Sequence, residues 1–319
     1  MANSSSSVRS ASPPPLKRAR RGQTPEQPTN GSQNYASSSG SGTSLPPLSL
    51  SILGVEPLDE FIKEIADFIH HMIATRPDHL HGNVEVEAKV GLLKERISGQ
   101  RLALPILVET ILAPESLDLR FESNMSVHQH KHFNSLLNNL KTTSAQPSHP
   151  ASPLGYSHLY LVDSFYPSDS NDREKIRVTR DEKTGTVIEC MRKIRLGDLN
   201  IYSPKRAADW RVSVNLEVPA QHPLGSPTHT RRKDRMSYAH EEFVIDLTQV
   251  TSTMSPNAPP QIFHELELEI ARSDLLLATA AKRNDISVSE HERCAFDELV
   301  RAFVNNARIL VRNSSDGWQ

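Results

Sequence analysis

The chain has 319 residues, of which 37% are apolar and 5% aromatic, and it contains 22 prolines. This composition is poor in apolar residues for a compact domain, so we expect part of the chain to lie outside any folded core. The net charge is −2, but residues 1–50 carry five basic residues and one acidic residue. An acidic body with a basic tail excludes a simple nucleic-acid clamp.

The two cysteines, Cys190 and Cys294, are too few for a disulfide framework or a thiolate zinc site, and they fit a reducing compartment. No apolar run approaches the roughly 20 residues that a membrane-spanning helix needs. The sequence therefore excludes a disulfide-stabilised secreted scaffold and predicts no membrane partner.

Residues 1–50 are rich in serine and proline, with Tyr35 as the single aromatic residue. Such a segment buries too little apolar area to offset its ordering entropy, so we expect a disordered tail, followed by one folded domain over 51–319. The segment PLKRARR at residues 15–21 is either a nuclear-import signal or a solvated run of charge. We favour the import signal, which predicts a nuclear protein.

Three helices are predicted from apolar residues that recur every three or four positions. They span 58–73, 126–140 and 289–311, and Ser287-x-x-Glu290 is a candidate capping box for the last. Between the helices the period changes to two, which indicates strands. The candidate strands are 84–93, 159–165, 173–180, 186–195, 210–218, 233–240, 242–248 and 263–271.

About eight strands in hairpin order predict a closed antiparallel barrel or a sandwich with helices packed outside, in the α+β class. Two of these strands concentrate carboxylates on one face: Glu85 and Glu87 in the first, and Glu265, Glu267 and Glu269 in the last. Other strands align cations, as Arg231, Lys233 and Arg235 do.

These faces have two interpretations. The first is an ordinary antiparallel sheet whose charged face is solvated. The second is a site that holds a divalent metal on its carboxylates and a polyanion on its cations. Clustered glutamates suit hard Mg²⁺ or Mn²⁺, and Mg²⁺ with Arg and Lys stabilises the charge of phosphoryl transfer.

Residues 85–91, with Glu85-x-Glu87-x-Lys89-x-Gly91, and residues 265–269, with Glu265-x-Glu267-x-Glu269, resemble the paired motifs of the triphosphate tunnel metalloenzymes. The segments RFESNM at 120–125, RVTRD at 177–181, RVSVNLE at 211–217 and RRKDRMSY at 231–238 narrow the resemblance to the fungal mRNA-capping enzyme beta subunit. Taken together and in this order, these motifs extend the resemblance over about residues 58–310.

The resemblance implies an eight-stranded antiparallel tunnel, here the catalytic domain, that hydrolyses the γ-phosphate of the 5′-triphosphate end of nascent mRNA. The implied metal ligands for Mg²⁺ or Mn²⁺ are Glu85, Glu87 and Glu269, supported by an acidic cluster of Glu265, Glu267 and Asp246. The implied triphosphate contacts are Arg177, Lys193, Lys233 and Arg235, with Arg231 in supporting ion pairs. Glu217 is implied to orient or deprotonate the attacking water.

The resemblance also implies a nuclear mRNA guanylyltransferase as partner and, by analogy alone, a homodimer. Val244 and Gln249 stand where basic residues are common in the family. Two alternatives stay open at this point: a tunnel enzyme that hydrolyses nucleotides or tripolyphosphate, and a phosphate-binding scaffold for the guanylyltransferase that has lost turnover.

Overall fold

The computed structural model describes residues 48–54, 56–57, 59–168, 175–253 and 259–315. The chain divides into two units, Met1–Glu56 and Pro57–Gln319. In the first unit, the described residues include a turn in which the Gly54 amide donates to the Ser51 carbonyl at 3.0 Å. Most of the predicted tail 1–50, including the basic segment 15–21, lies outside the described residues, so the predicted domain boundary stays a prediction.

Four helices and ten strands make up the described part of the second unit. The helices are α1 (Glu60–Ala74), α2 (Val127–Ser144), α3 (Ser273–Lys282) and α4 (Glu290–Arg312). The strands are β1 (Asn83–Glu95), β2 (Thr110–Leu112), β3 (Leu119–Glu122), β4 (Gly155–Pro167), β5 (Lys175–Asp181), β6 (Val187–Tyr202), β7 (Asp209–Pro219), β8 (His229–His240), β9 (Phe243–Thr253) and β10 (Gln261–Ile270). Within the described ranges, none of the helices combines the length and the apolar character that crossing a membrane requires.

Eight of the strands close into an antiparallel barrel. Around the barrel the order is β10, β9, β8, β4, β5, β6, β7 and β1, and β1 pairs back to β10. The short strands lie outside this circuit, because β2 pairs with β6 and β3 with β1. The predicted fold, an eight-stranded antiparallel barrel with helices outside, is confirmed; the helix α3 and the strands β2 and β3 were missed.

The barrel carries its apolar residues on the outside. In β1, Val84, Val86, Ala88 and Val90 are each 2% exposed or less and belong to the core under the helices. The helices supply the matching apolar faces: Ile62, Ile65, Ile69 and Ile73 of α1, and Phe296, Val300, Phe303, Val304 and Ala307 of α4. Since alternate residues of a strand face opposite sides of a sheet, the intervening charged residues point into the barrel.

Local signals set the limits of the helices. Asp59 caps α1 by accepting from the Phe61 and Ile62 amides, while Leu58, where we predicted the helix to start, lies outside the described residues. Helix α4 begins with a capping box between Ser289 and Glu292. The predicted box at Ser287 is therefore wrong by two residues, because the Ser287 hydroxyl donates to Asp285 instead.

Candidate active site

The barrel encloses a cavity of about 670 Å³. All the residues to which the resemblance gives a site role line it: Glu85, Glu87, Arg177, Lys193, Glu217, Arg231, Lys233, Arg235, Asp246, Glu265, Glu267 and Glu269. Strand period and barrel closure bring them together from seven strands. The solvated-sheet interpretation does not hold for these faces, because they face an enclosed cavity and are buried or half-buried.

The acidic side of the cavity is formed where β1 meets β10. Glu87 is directly opposite Glu269 in the ladder, and Lys89 is opposite Glu267. The Lys89 ammonium forms ion pairs with Glu267 and, at 3.2 Å, with Glu87. Burial alone would lower the pKa of Lys89, but Glu267, Glu87 and Glu265 hold it above its ordinary value. Lys89 therefore stays charged and offsets the repulsion among the carboxylates.

Glu85 and Glu87 share two partners from neighbouring strands. The Lys193 ammonium pairs with Glu85 and lies 3.4 Å from the Glu87 carboxylate. The Asn215 amide donates to Glu85 at 2.8 Å and to Glu87 at 3.2 Å. These contacts orient the two carboxylates side by side, with the Lys193 ammonium between them.

Glu269 differs from its neighbours. Among the described residues, none donates a hydrogen bond to its carboxylate or forms an ion pair with it. Burial, followed by the charges of Glu85, Glu217 and Asp246, raises the pKa of Glu269 to about 8. A carboxyl group in this position holds a proton at neutral pH unless a cation approaches it.

The donor set suits a hard divalent cation. In the part of the chain that the structure describes, no three His, Cys, Asp or Glu residues form a ready-made ligand cluster. Glu85, Glu87 and Glu269 nevertheless lie on paired strands, and among the described residues the carboxyl of Glu269 forms no direct ion pair although it lies opposite Glu87. Carboxylate oxygens are the ligands that Mg²⁺ and Mn²⁺ prefer, so these residues fit such an ion.

The cationic side of the cavity centres on β8. Arg231 pairs with Glu265 at 3.2 Å, Lys233 with Asp163, and Arg235 with Asp246 at 2.8 Å. Burial, together with Arg235 and Arg177, lowers the pKa of Lys233 even though Asp163 opposes the shift. Each of these cations is thus held in place by a carboxylate of its own.

Arg177 reaches across from β5 to Glu189 at 3.0 Å and Glu217 at 3.3 Å. The Nε atoms of Arg177 and Arg235 are buried without a hydrogen-bond acceptor among the described residues. A buried guanidinium N–H without a partner costs free energy, which a phosphate oxygen would recover. The same two side chains carry a full charge, because the neighbouring carboxylates raise the pKa of each against the effect of burial.

The acidic residues fall into two electrostatic types. Burial and the charge of Glu85 raise the pKa of Glu217 to about 6, against the opposing effects of Lys193 and Arg177. For Glu267, burial would raise the pKa, but Lys89 and Arg235 hold it well below the ordinary value. Glu217 can therefore accept a proton near neutral pH, whereas Glu267 stays ionised as a counter-ion.

Several lining residues were not predicted as parts of the site. Asp163, 1% exposed, binds Lys233 and accepts from the Thr179 hydroxyl at 2.8 Å. Asn215, which donates to Glu85 and Glu87, had no predicted role either. Phe165 and His229 also line the cavity. The available signal for Asp163 was a lone carboxylate between two apolar residues of the same strand face, Leu161 and Phe165.

Val244 and Gln249 differ in position. Val244 lines the cavity, whereas Gln249 lies on the outer face of β9, 3.3 Å from the His264 ring nitrogen. Only Val244 therefore occupies a site where a cation would face the cavity. His264, on the same outer face, is 5% exposed and packs against His130 of α2.

An eight-stranded antiparallel tunnel with an ion-paired, charged interior and an apolar exterior under helices defines the architectural class of this chain. The family model described as mRNA capping enzyme, beta chain, matches residues 55–316, and the chain belongs to that family.

Relatives and solved structures agree with this assignment. The chain is 36% identical over 274 residues to the mRNA-capping enzyme subunit beta of Schizosaccharomyces pombe, covering 85% of this chain and 87% of the relative. It is 35% identical over 273 residues to the protein of the same name from Cryptococcus neoformans, covering 84% and 65%. The structure of the S. pombe Pct1 RNA triphosphatase superposes with a TM-score of 0.75 at 35% identity, covering 85% of this chain and all of Pct1. A second Pct1 structure, in complex with the Spt5 CTD, gives the same TM-score.

Proposed function

We propose that the chain is an RNA 5′-triphosphatase, which removes the γ-phosphate from the triphosphate end of pre-mRNA and leaves a 5′-diphosphate end for cap addition. One observation carries the proposal: in a member of the capping-enzyme beta family, carboxylates from β1 and β10 face cations from β5, β6 and β8 across one enclosed cavity. The superposition with the Pct1 RNA triphosphatase supports it.

A divalent ion, Mg²⁺ or Mn²⁺, held by Glu85, Glu87 and Glu269 would supply positive charge to the γ-phosphate. Lys193, Lys233, Arg235 and Arg177 bind the phosphate oxygens and neutralise the charge that develops during transfer. Asp246, Glu265 and Glu267 hold the arginines and lysines in position, since Arg235, Arg231 and Lys89 are their ion-pair partners. Arg231 acts through its pair with Glu265.

Glu217 orients the water that attacks the γ-phosphorus. As the new P–O bond forms and the bond to the β-phosphate oxygen breaks, the proton of the water passes to Glu217. The products are inorganic phosphate and the diphosphate-ended RNA. The pKa of Glu217 near 6 suits this role, because the group is mostly ionised at neutral pH and still basic enough to take the proton.

The proposal extends to the setting of the enzyme. Since this is the first reaction of cap formation, we expect a nuclear location and an mRNA guanylyltransferase as partner, with a homodimer as a further expectation. Contacts to phosphate position a nucleic acid but do not read its sequence, so triphosphate-ended RNAs of any sequence should be substrates.

The test is phosphate release from triphosphate-ended RNA with Mg²⁺, compared with Mn²⁺, with free ATP and with inorganic tripolyphosphate. Glu85→Ala and Glu269→Ala should abolish release, while Glu298→Ala, on the exposed face of α4, should leave it unchanged. Release from tripolyphosphate or ATP without release from RNA would favour the other tunnel hydrolases. No release from any of them would favour the scaffold alternative.

A further inference from the structure

The cavity has a distinct aromatic end. Phe165 of β4 and His229 of β8 are directly opposed in the ladder, and their rings are stacked, with centroids 4.3 Å apart and planes 2° from parallel. Both residues line the cavity. The mechanism proposed above uses neither of them.

The position of this pair follows from the order of residues along β8. The inward face of the strand carries Arg235, Lys233, Arg231 and then His229. At about 3.3 Å per residue, His229 lies roughly 20 Å along the strand from Arg235. A triphosphate bound at Lys233 and Arg235 would therefore lie on one side of Arg231, and His229 would lie on the other side.

Among the described residues, further space adjoins the cavity at Arg231. A second cavity of about 550 Å³ shares Arg231 and Glu265 with the first and is also lined by Phe121 and Phe263. At the other end, beyond Arg235, the lining includes the aliphatic Val244 of β9. Aromatic side chains and additional cavity space thus both lie at the end of the cavity that contains Arg231 and His229.

The His229 ring is held in place before any ligand arrives. The Thr228 hydroxyl donates to the Phe165 carbonyl at 3.0 Å and lies 3.1 Å from His229 Nδ1. Burial, together with Lys175 and Arg231, lowers the pKa of His229, so the imidazole is neutral at physiological pH. A neutral ring already stacked on one face and fixed at one nitrogen loses little entropy when a second ring stacks on it.

We propose that the His229–Phe165 stack is the binding platform for the base of the first RNA nucleotide, at the end of the cavity through which the RNA leaves. This inference rests on the proposed function, because it assigns a place to the nucleoside that carries the triphosphate. Stacking on an aromatic face tolerates every base, which suits an enzyme that acts on transcripts of any sequence.

The test compares two substrates that share a triphosphate but differ in the base. With triphosphate-ended RNA, His229→Ala should raise KM about five- to tenfold with little change in kcat, a loss of about 1–1.4 kcal/mol at the low end of the range for base stacking. With inorganic tripolyphosphate, the same variant should keep the wild-type KM. His229→Phe should restore the KM for RNA, because the stacking ring returns.

The matched control is His158→Ala, which removes an imidazole from the outer face of the same pair of strands, where His158 pairs with Asp234. It should leave both substrates unaffected. An unchanged KM for RNA in His229→Ala, or an equal rise of KM for RNA and tripolyphosphate, would overturn the platform while the wild-type activity on RNA still supported the proposed function. Wild-type hydrolysis of tripolyphosphate but not of RNA would refute the proposed function, and the platform with it.

Discussion

The strongest test of the electrostatic reasoning is the replacement of Asp163 by asparagine. Asp163 is 1% exposed and forms an ion pair with Lys233. The asparagine side chain has the same shape and keeps an oxygen to accept from the Thr179 hydroxyl, so the variant removes the charge and little else. Lys233 is then left with the cations Arg235 and Arg177 as close electrostatic neighbours.

The magnitude follows from the burial of the pair. Breaking a buried ion pair by removing one partner costs about 3–5 kcal/mol. Because the Lys233 side chain is 11% exposed and faces a cavity that water can enter, we expect a loss at or just below the lower limit of that range, about 2–3 kcal/mol. Urea unfolding at pH 7 measures this loss. Asp234→Asn, which removes an outward carboxylate of β8 that is 47% exposed, is the control and should change stability by less than about 0.5 kcal/mol.

The pH dependence gives a second readout. The Lys233 pair holds the pKa of Asp163 below 3.8, so its contribution is present above that pH and is lost as the pH falls through the folded-state value. The difference between wild type and Asp163→Asn should therefore be full near pH 7 and shrink below pH 4. In the variant the pKa of Lys233 falls further, and the alkaline limb of kcat/KM should move to lower pH. Equal unfolding free energies and superimposable pH profiles would refute the argument.

Three further predictions concern two carboxylates of the cavity and a close backbone contact between β1 and β3. Glu217→Gln should lower kcat by about 10²–10⁴ and remove the loss of activity that wild type shows as Glu217 is protonated below about pH 6, as pH–rate profiles would show. Mg²⁺ affinity measured by calorimetry should rise with pH up to about 8, because binding must displace the proton of Glu269; pH-independent affinity would remove that residue from the ligand set. Gly91→Ala should destabilise the fold by about 1–3 kcal/mol in urea unfolding, since its Cβ would lie 2.2 Å from the Glu122 carbonyl oxygen, whereas Gly155→Ala, with its nearest contact at 3.5 Å, should be nearly neutral.

The sequence predicted a closed barrel or a sandwich from its period-two strands, and its resemblance to the tunnel enzymes implied the barrel and its charged inner faces. It did not predict α3, because residues 273–282 follow directly on β10, have no side-chain cap and make a helix of only 10 residues. Strands β2 and β3, of three and four residues, owe their conformation to the partners β6 and β1 and carry no periodic signal of their own. The capping box was misplaced because Ser-x-x-Glu occurs both at Ser287 and at Ser289, and only the local hydrogen bonds separate the two.

The site shows a similar division. Alternation placed Glu85 with Glu87 and Glu265 with Glu269 on charged strand faces, and the resemblance implied that these faces share one cavity. The partner of each cation, in contrast, depends on the register between strands that are distant in sequence. Asp163 illustrates the difficulty: it lies opposite Arg231 in the β4–β8 ladder but pairs with Lys233, one inward position further along. A diagonal ion pair of this kind depends on the length of the side chains and on the twist of the sheet, which no local sequence pattern encodes.

The positive and negative charges that line the cavity balance one another, and this balance constrains how charged ligands bind there. Its described lining includes nine carboxylates and eight Lys or Arg side chains, and the proton on Glu269 brings the two charges into balance. Lys193 shows what an arriving ligand must change, because its ammonium is paired with Glu85 and Glu87, the same carboxylates that fit a divalent cation. If Glu85 and Glu87 held a divalent cation, Lys193 would lose its carboxylate partners and become available to phosphate, and the phosphate would supply the negative charge that Lys193 had lost. Metal alone would leave the Lys193 ammonium without a carboxylate partner, and triphosphate alone would leave Glu85 and Glu87 without a cation, in a half-buried site. Metal and triphosphate should therefore each bind more tightly in the presence of the other.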